Sequence, residues 1–219
     1  LLTNWNESGN KLCEVNQLND LDHGPYQYWH ENGQLKEVGT YSNGKLNGIC
    51  TLWNEKGAKT AVENYENGVP HGLVQHWYEN GNMEFEKNYK NGELHGSVKT
   101  WYENGQQKVY SHFKDGLIDG ITRSWYENGN LESEITTKEG KPYGLSKTWH
   151  ENGQKKTEGI LHDTTPEGIA LTWYENGQLA TKEFYENGKK HGTVTYWNQN
   201  GQKVLEMQIK NGEAHGSFK

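Results

Sequence analysis

All nine tryptophans of the chain, Trp5, Trp29, Trp53, Trp77, Trp101, Trp125, Trp149, Trp173 and Trp197, stand 24 residues apart without a slip. A glycine follows four residues after each of them, from Gly9 and Gly33 through Gly177 and Gly201. A fixed period of this size marks a repeat protein, in which each unit buries its apolar side against its neighbours. One continuous array over residues 1–219 is therefore expected, cut from or flanked within a longer one, because the sequence starts four residues before one Trp and stops two before the next due.

Composition at first points the other way. Only 31% of residues are hydrophobic and the mean hydropathy is −1.09, values that lean toward disorder. The aromatic residues reverse this. Nine Trp, thirteen Tyr and four Phe stand mostly in register, and each ring can bury roughly 150–250 Å².

Within one period, Gly96 to Tyr102 reads as a short strand and Glu103-Asn104-Gly105 turns the chain. A second strand runs from Gln106 to about Lys114 and ends at a second turn, Asp115-Gly116. Asn-Gly or Asp-Gly between apolar-aromatic segments is a strong hairpin signal. Two further glycine ladders punctuate the chain, one from Gly24 to Gly216 and one from Gly44 to Gly212, the second missing at Asp20 and Thr164. Of the 27 glycines only Gly39 and Gly159 fall outside the three ladders. No window carries a 3.6-residue apolar stripe, so no helix is expected.

The fold class is thus all-β: a twisted antiparallel meander of about nine hairpins, some eighteen strands, ~85 Å long at the usual strand spacing. If the Asn-Gly turns are two-residue loops, Trp101 shares a face with Ile121, Ile49, Leu73, Leu145 and Ile169. The other face then carries Tyr102, Val98 and the series Tyr41, Tyr65, Tyr89, Phe113 and Tyr185. A three-residue loop would reverse part of this. Irregularity gathers between 135 and 170, where Asp163-Thr164 replaces Asn-Gly and Thr137 and Leu161 replace the ladder Tyr; a bend or bulge is expected there.

Units such as Tyr89-Lys90-Asn91-Gly92-Glu93-Leu94-His95-Gly96 followed by Trp101-Tyr102-Glu103-Asn104-Gly105 resemble MORN repeats. They are most similar to the bacterial variant grouped as the YwqK-type antitoxin family. The resemblance covers the whole chain, with departures at Thr164 and where Asn47, Asp119, Tyr143 and Glu167 replace the His. It implies β-hairpin repeats used as scaffolds or partner-binding surfaces without catalysis, and neutralisation of a toxin by binding it.

Net charge is −7 with no basic stripe, which argues against nucleic acid and against an anionic membrane surface. No apolar run is long enough to span a bilayer as a helix. The start Leu1-Leu2-Thr3-Asn4 leaves room for a missing leader, so a cytoplasmic and an exported, envelope-associated location both stay open. Cys13 and Cys50 would lie three strands apart, about 14 Å, beyond the reach of a disulfide.

Candidate sites are few. His23, His71, His95, His191 and His215 share one phase, but successive members would be roughly 9.6 Å apart, too far to share an ion. The ladder of Glu7, Glu31, Glu55, Glu79, Glu103, Glu127, Glu151 and Glu175 reads as turn chemistry rather than paired catalytic carboxylates. No metal, cofactor, small-molecule ligand or catalytic residue is assigned. Trp29, Trp53, Trp77, Trp101, Trp125, Trp149 and Trp173 form the structural ladder. Tyr78, Tyr102, Tyr126 and Tyr174, one residue further on together with His30 and His150, form a row that either packs on the next hairpin or meets a partner. The leading expectation is a non-catalytic scaffold binding another protein within a larger complex. A carbohydrate surface using the Tyr row is the alternative, with lipid association third.

Overall fold

The computed structural model describes residues 1–215, so Gly216 of the second glycine ladder lies outside the described residues. These residues form 23 strands and no helix, and every described pairing is antiparallel, between strands adjacent in sequence or separated by one two-residue strand. The chain divides into two compact units, Leu1–Gly105 and Gln106–Lys219. Each is a meander of hairpins.

Strands Gly72–Trp77, Met83–Lys90 and Glu93–Trp101 show how one repeat is built in unit 1. After Trp77 the amide of Tyr78 donates to the Asn82 carbonyl at 2.9 Å, and the amide of Gly81 donates to the Tyr78 carbonyl at 3.0 Å. Gly81 has φ 87°. This is a three-residue loop, Glu79-Asn80-Gly81, closed by a left-handed glycine, the longer of the two alternatives the sequence left open. The face assignment nevertheless stands. Met83 pairs with Trp77 but Phe85 pairs with His76, so Glu84 is an extra residue in its strand. The bulge returns the register that a two-residue Asn80-Gly81 loop would have given.

The second turn is the true two-residue hairpin. Lys90 pairs with Glu93 across Asn91-Gly92, whose φ values of 52° and 84° are both positive, as a type I′ turn requires. At the irregular turn Asp163-Thr164 the flanking residues still pair, His162 with Thr165 and Leu161 with Pro166. The strands between 135 and 170 show the same register shifts as other repeats. A third irregularity sits at the glycine that starts each repeat. Lys87 pairs with Val98, then Tyr89 with Leu94, leaving an excess around Gly96, which has φ 89°. Asn88 Nδ2 closes this kink on the Ser97 carbonyl at 3.0 Å. The equivalent kink breaks four return strands into a two-residue and a six-residue piece, for example Val69–Pro70 and Gly72–Trp77.

The two faces differ. In unit 1 the most buried row contains Val15, Tyr26, Cys50, Val74 and Val98; the pairings Val15 with Tyr26, Tyr26 with Gly39, and Lys87 with both Val74 and Val98 set it on one face. Tyr41, Tyr65 and Tyr89 lie on this packed face, each opposite a glycine, Gly24, Gly48 or Gly72. In unit 2 the same row runs through Thr122, Ile135, Ser146, Gly159, Ala170, Glu183, Val194 and Met207, with Val194 fully buried. Beside it, unit 2 substitutes paired hydroxyls, Ser124 with Ser133, Thr148 with Thr157 and Thr172 with Thr181, at 2.7–2.8 Å. Unit 1 has Leu52 opposite Ala61 there, and a stacked His76–Phe85 pair 4.2 Å apart. The open face carries the tryptophans and the aliphatic row Ile49, Leu73, Ile121, Leu145 and Ile169, all exposed.

Candidate binding surface

The loops that follow the tryptophans stack along one edge of each unit, and their side chains explain the repeated letters. Asn80 Oδ1 accepts from the Asn82 amide at 2.9 Å and so fixes its own turn. Its Nδ2 donates to the Glu103 carbonyl of the next loop at 2.7 Å. The same reach joins Asn32 to Glu55 in unit 1, and Asn128 to Glu151, Asn152 to Glu175 and Asn176 to Gln199 in unit 2, at 2.7–2.9 Å. An aspartate could hold the turn but could not donate onward. Asparagine does both.

The tyrosine row is a second set of staples. Tyr78 Oη donates to the Trp101 carbonyl, Tyr126 Oη to that of Trp149 and Tyr174 Oη to that of Trp197, each at 2.8 Å. His30 and His150 take the same place with Nε2 at 2.9 Å from the carbonyls of Trp53 and Trp173; a ring nitrogen facing a carbonyl must donate. Tyr and His interchange at this phase because both are rings with a donor at the far end. Tyr78, Tyr102, Tyr126 and Tyr174 are all half-buried, and burial raises the pKa of the Tyr78 and Tyr126 hydroxyls. The charged groups that recur along this edge are its carboxylates, exposed beside the stapling asparagines. Glu31, Glu55, Glu79 and Glu103 in unit 1, and Glu127, Glu151 and Glu175 in unit 2, are exposed.

Trp29, Trp53, Trp77, Trp101, Trp125, Trp149 and Trp173 are half-buried on the open face, whereas the fully buried row is on the other side. Lysine stems run between them. Lys11 Nζ lies 5.4 Å from the Trp5 ring centre and 5.3 Å from that of Trp29, and Lys155 Nζ 4.8 Å from Trp173, within cation–π range.

Two of the histidines before the glycines, His23 and His71, form a third staple at the opposite edge. His23 Nδ1 accepts from the Asn43 amide and His71 Nδ1 from the Asn91 amide, both at 3.4 Å. Where the sequence departs from His, Asn47 Oδ1 accepts from Asn67 at 3.2 Å and Glu167 Oε2 from Asn187 at 3.0 Å. An acceptor is all the position requires. Among the described residues no three His, Cys, Asp or Glu side chains are grouped to hold a metal ion.

Cys13 and Cys50 are free thiols. Cys50 is buried, and burial pushes its thiol up to about 12. It touches Tyr26 Oη at 3.3 Å, which in turn donates to Glu37 Oε1 at 2.5 Å. A depression of about 570 Å³, open to solvent, is lined by residues including Leu12, Tyr28, Trp29, His30, Glu37 and Glu55. It sits in the inter-repeat groove beside the His30 staple.

Against known families, the MORN repeat variant matches residues 22–43, 70–91, 94–115, 118–139, 142–161, 166–187, 180–198 and 190–211, well over half the chain. The chain belongs to the MORN repeat variant family. No match falls between residues 44 and 69, yet that stretch folds as a MORN hairpin like the others, with Gly48 opposite Tyr65 and Leu52 opposite Ala61. No curated protein matches the chain.

One feature of this MORN array escaped the sequence reading. Leu145 pairs with Ile160 and Ile169 with Phe184 on the open face, and all four are exposed. Ile160 and Phe184 occupy a phase otherwise held by Asn16, Thr40, Asn64, Asn88, His112, Thr136 and Gln208. Stepping that phase along the sequence would have revealed them.

Proposed function

We propose that this chain is a non-catalytic scaffold that holds another protein along its loop edge. The observation that carries this is the division of labour at that edge. Asn and Tyr side chains join most loops to the next, while six of the repeats leave a carboxylate exposed beside a half-buried Tyr or His ring. In unit 1 these are Glu79 and Glu103 beside Tyr78 and Tyr102; in unit 2, Glu127 and Glu175 beside Tyr126 and Tyr174. The rungs recur every two strands, roughly 9.6 Å. Such a surface suits a partner carrying Arg or Lys at matching intervals, through carboxylate pairs and cation–π contacts. Membership of a non-enzymatic repeat family supports the same reading. Neutralisation of a basic toxin, or assembly within an envelope complex, are specific forms of it.

The test is affinity capture from native extract on the immobilised full chain, followed by mass spectrometry. Expected are companions retained at low salt, released as salt rises, and lost on the double charge reversal Glu79→Lys with Glu103→Lys. Recovery of the same companions by wild type and variant, or none by either, would refute the proposal.

A further inference from the structure

We propose that the open face of unit 2 is the interface of a two-fold dimer of this chain, centred on the row Leu145, Ile160, Ile169 and Phe184. Leu145 pairs with Ile160 and Ile169 with Phe184, while Ile160 pairs with Glu167 across the kink at Gly168, so the row is two apolar pairs from four neighbouring strands, Lys141–Trp149, Lys155–His162, Thr165–Trp173 and Leu179–Glu186. Their relative exposures are 43%, 40%, 50% and 39%, and Tyr143 beside them is 52% exposed. Together they offer roughly 400 Å² of apolar surface, as large as the biggest patch on an ordinary monomer. In unit 1 the same row does not form, because Asn64 stands opposite Ile49 and Asn88 opposite Leu73.

A second copy is the occupant because the flanks of the row complement each other strand by strand. A two-fold axis along the row lays each apolar pair on or beside its own copy. It also brings the residue two positions before each apolar residue opposite the residue two positions after it. On the first strand this sets Lys147 over the ring of Tyr143, and on the second it sets Glu158, whose carboxylate also holds Lys155 Nζ at 2.8 Å, against His162. On the fourth it sets Lys182 against Glu186. Three of the four strands thus supply an attractive pair; the remaining one sets Leu171 beside Glu167. Glu186 is 55% exposed, and Tyr143 and His162 already stack 5.0 Å apart as one flat rim. Two sheets meeting in this way form a sandwich across the axis, the usual means by which an apolar sheet face is covered. The contact lies at the small end of specific interfaces, so the dimer dissociates at concentrations on the order of micromolar.

Sedimentation of the full chain across a dilution series tests this. Wild type should pass from dimer to monomer on dilution. Ile160→Asn with Phe184→Asn installs the residue that Asn64 and Asn88 supply in folded repeats, and should raise the dissociation constant at least about tenfold. Lys182→Glu and Glu186→Lys should each weaken the dimer when alone, yet an equimolar mixture of the two should dimerise again, since each then meets its opposite charge. The mixture separates a lost contact from a lost fold. A chain monomeric at every concentration, a dimer indifferent to these substitutions, or a mixture no tighter than its components would overturn the proposal. None of these substitutions touches a residue of the loop edge.

Discussion

The two glycines outside the ladders should respond oppositely to the same substitution. Both Gly39 and Gly159 have ordinary backbone angles, absent from the positive-φ set, so alanine introduces no strain of its own. At such a site Gly→Ala generally stabilises by about 0.4–1 kcal/mol through the unfolded chain. At Gly159 the added Cβ would find Ala170 Cβ at 3.7 Å and the Ile169 carbonyl oxygen at 3.9 Å, ordinary contact, so that gain should appear. At Gly39 it would lie 2.7 Å from Tyr26 Oη, 2.8 Å from Cε1 and 2.9 Å from Cζ. The ring cannot retreat cheaply: Tyr26 is 1% exposed, and its ring centre is 4.4 Å from that of Tyr41 and 5.2 Å from that of Tyr28. Its hydroxyl is bonded to Glu37. Overpacking a well-filled site costs about 1–3 kcal/mol, which exceeds the entropic gain. Gly39→Ala should therefore lower stability by about 1–2 kcal/mol net. Urea denaturation followed by tryptophan fluorescence would measure it. In the Tyr26→Val background, which restores the residue found at Val74 and Val98, the penalty should vanish, a coupling of about 1–3 kcal/mol. The reasoning fails if Gly39→Ala behaves like Gly159→Ala, or if its penalty survives the loss of the Tyr26 ring.

Tyr126→Phe keeps the ring but removes the donor to the Trp149 carbonyl, and should cost about 0.5–1.5 kcal/mol by the same denaturation measurement. Tyr174→Phe should cost a similar amount, the two adding in the double variant because they serve different carbonyls. Unit 1 should also lose stability in alkali. Burial raises the Cys50 thiol from 9.0 to about 12 and raises the hydroxyls of Tyr26, Tyr41 and Tyr65. All four are neutral when protonated, so the folded state holds these protons longer than the unfolded chain; stability is intact below the unfolded values and falls as pH climbs from about 9 toward 12. Urea midpoints measured over this range should decline, and Cys50→Val should reduce the slope; a flat profile would contradict it.

Much of this was legible because each glycine and asparagine in the repeat has one structural job. The Asn91-Gly92 pair announces a type I′ turn, and the structure has one. The Glu79-Asn80-Gly81 loop was harder, because nothing in the letters marks Glu84 as an extra residue. The bulge and the longer loop cancel in register, so the face assignment conditional on a two-residue loop holds for the three-residue loop as well. The role of the tyrosine row needed coordinates, since a ring one residue after Trp77 can point outward or back to the next repeat. Only the distance from Tyr78 Oη to the Trp101 carbonyl decides that. Gly39 was conspicuous as an exception, but its partner Tyr26 could be recognised only once the strands were placed side by side.

The staples also explain why the period never slips. The tyrosine bonds span 23 residues, as do those from the loop asparagines, while the turn acceptors span 20. One inserted residue would displace all three at once and leave several backbone carbonyls and amides at the loop edges without their partners, each worth about 1 kcal/mol. That constraint acts on the edges and on the packed face, where Gly39 and Tyr26 show how little room is left. It does not reach the middle of the open face. A residue there can change from Asn to Ile or Phe without touching a staple, and at Ile160 and Phe184 it has. Variation in binding between arrays built on this plan should therefore be concentrated on the open face and in the exposed loop carboxylates, where the side chains are not needed to join one repeat to the next.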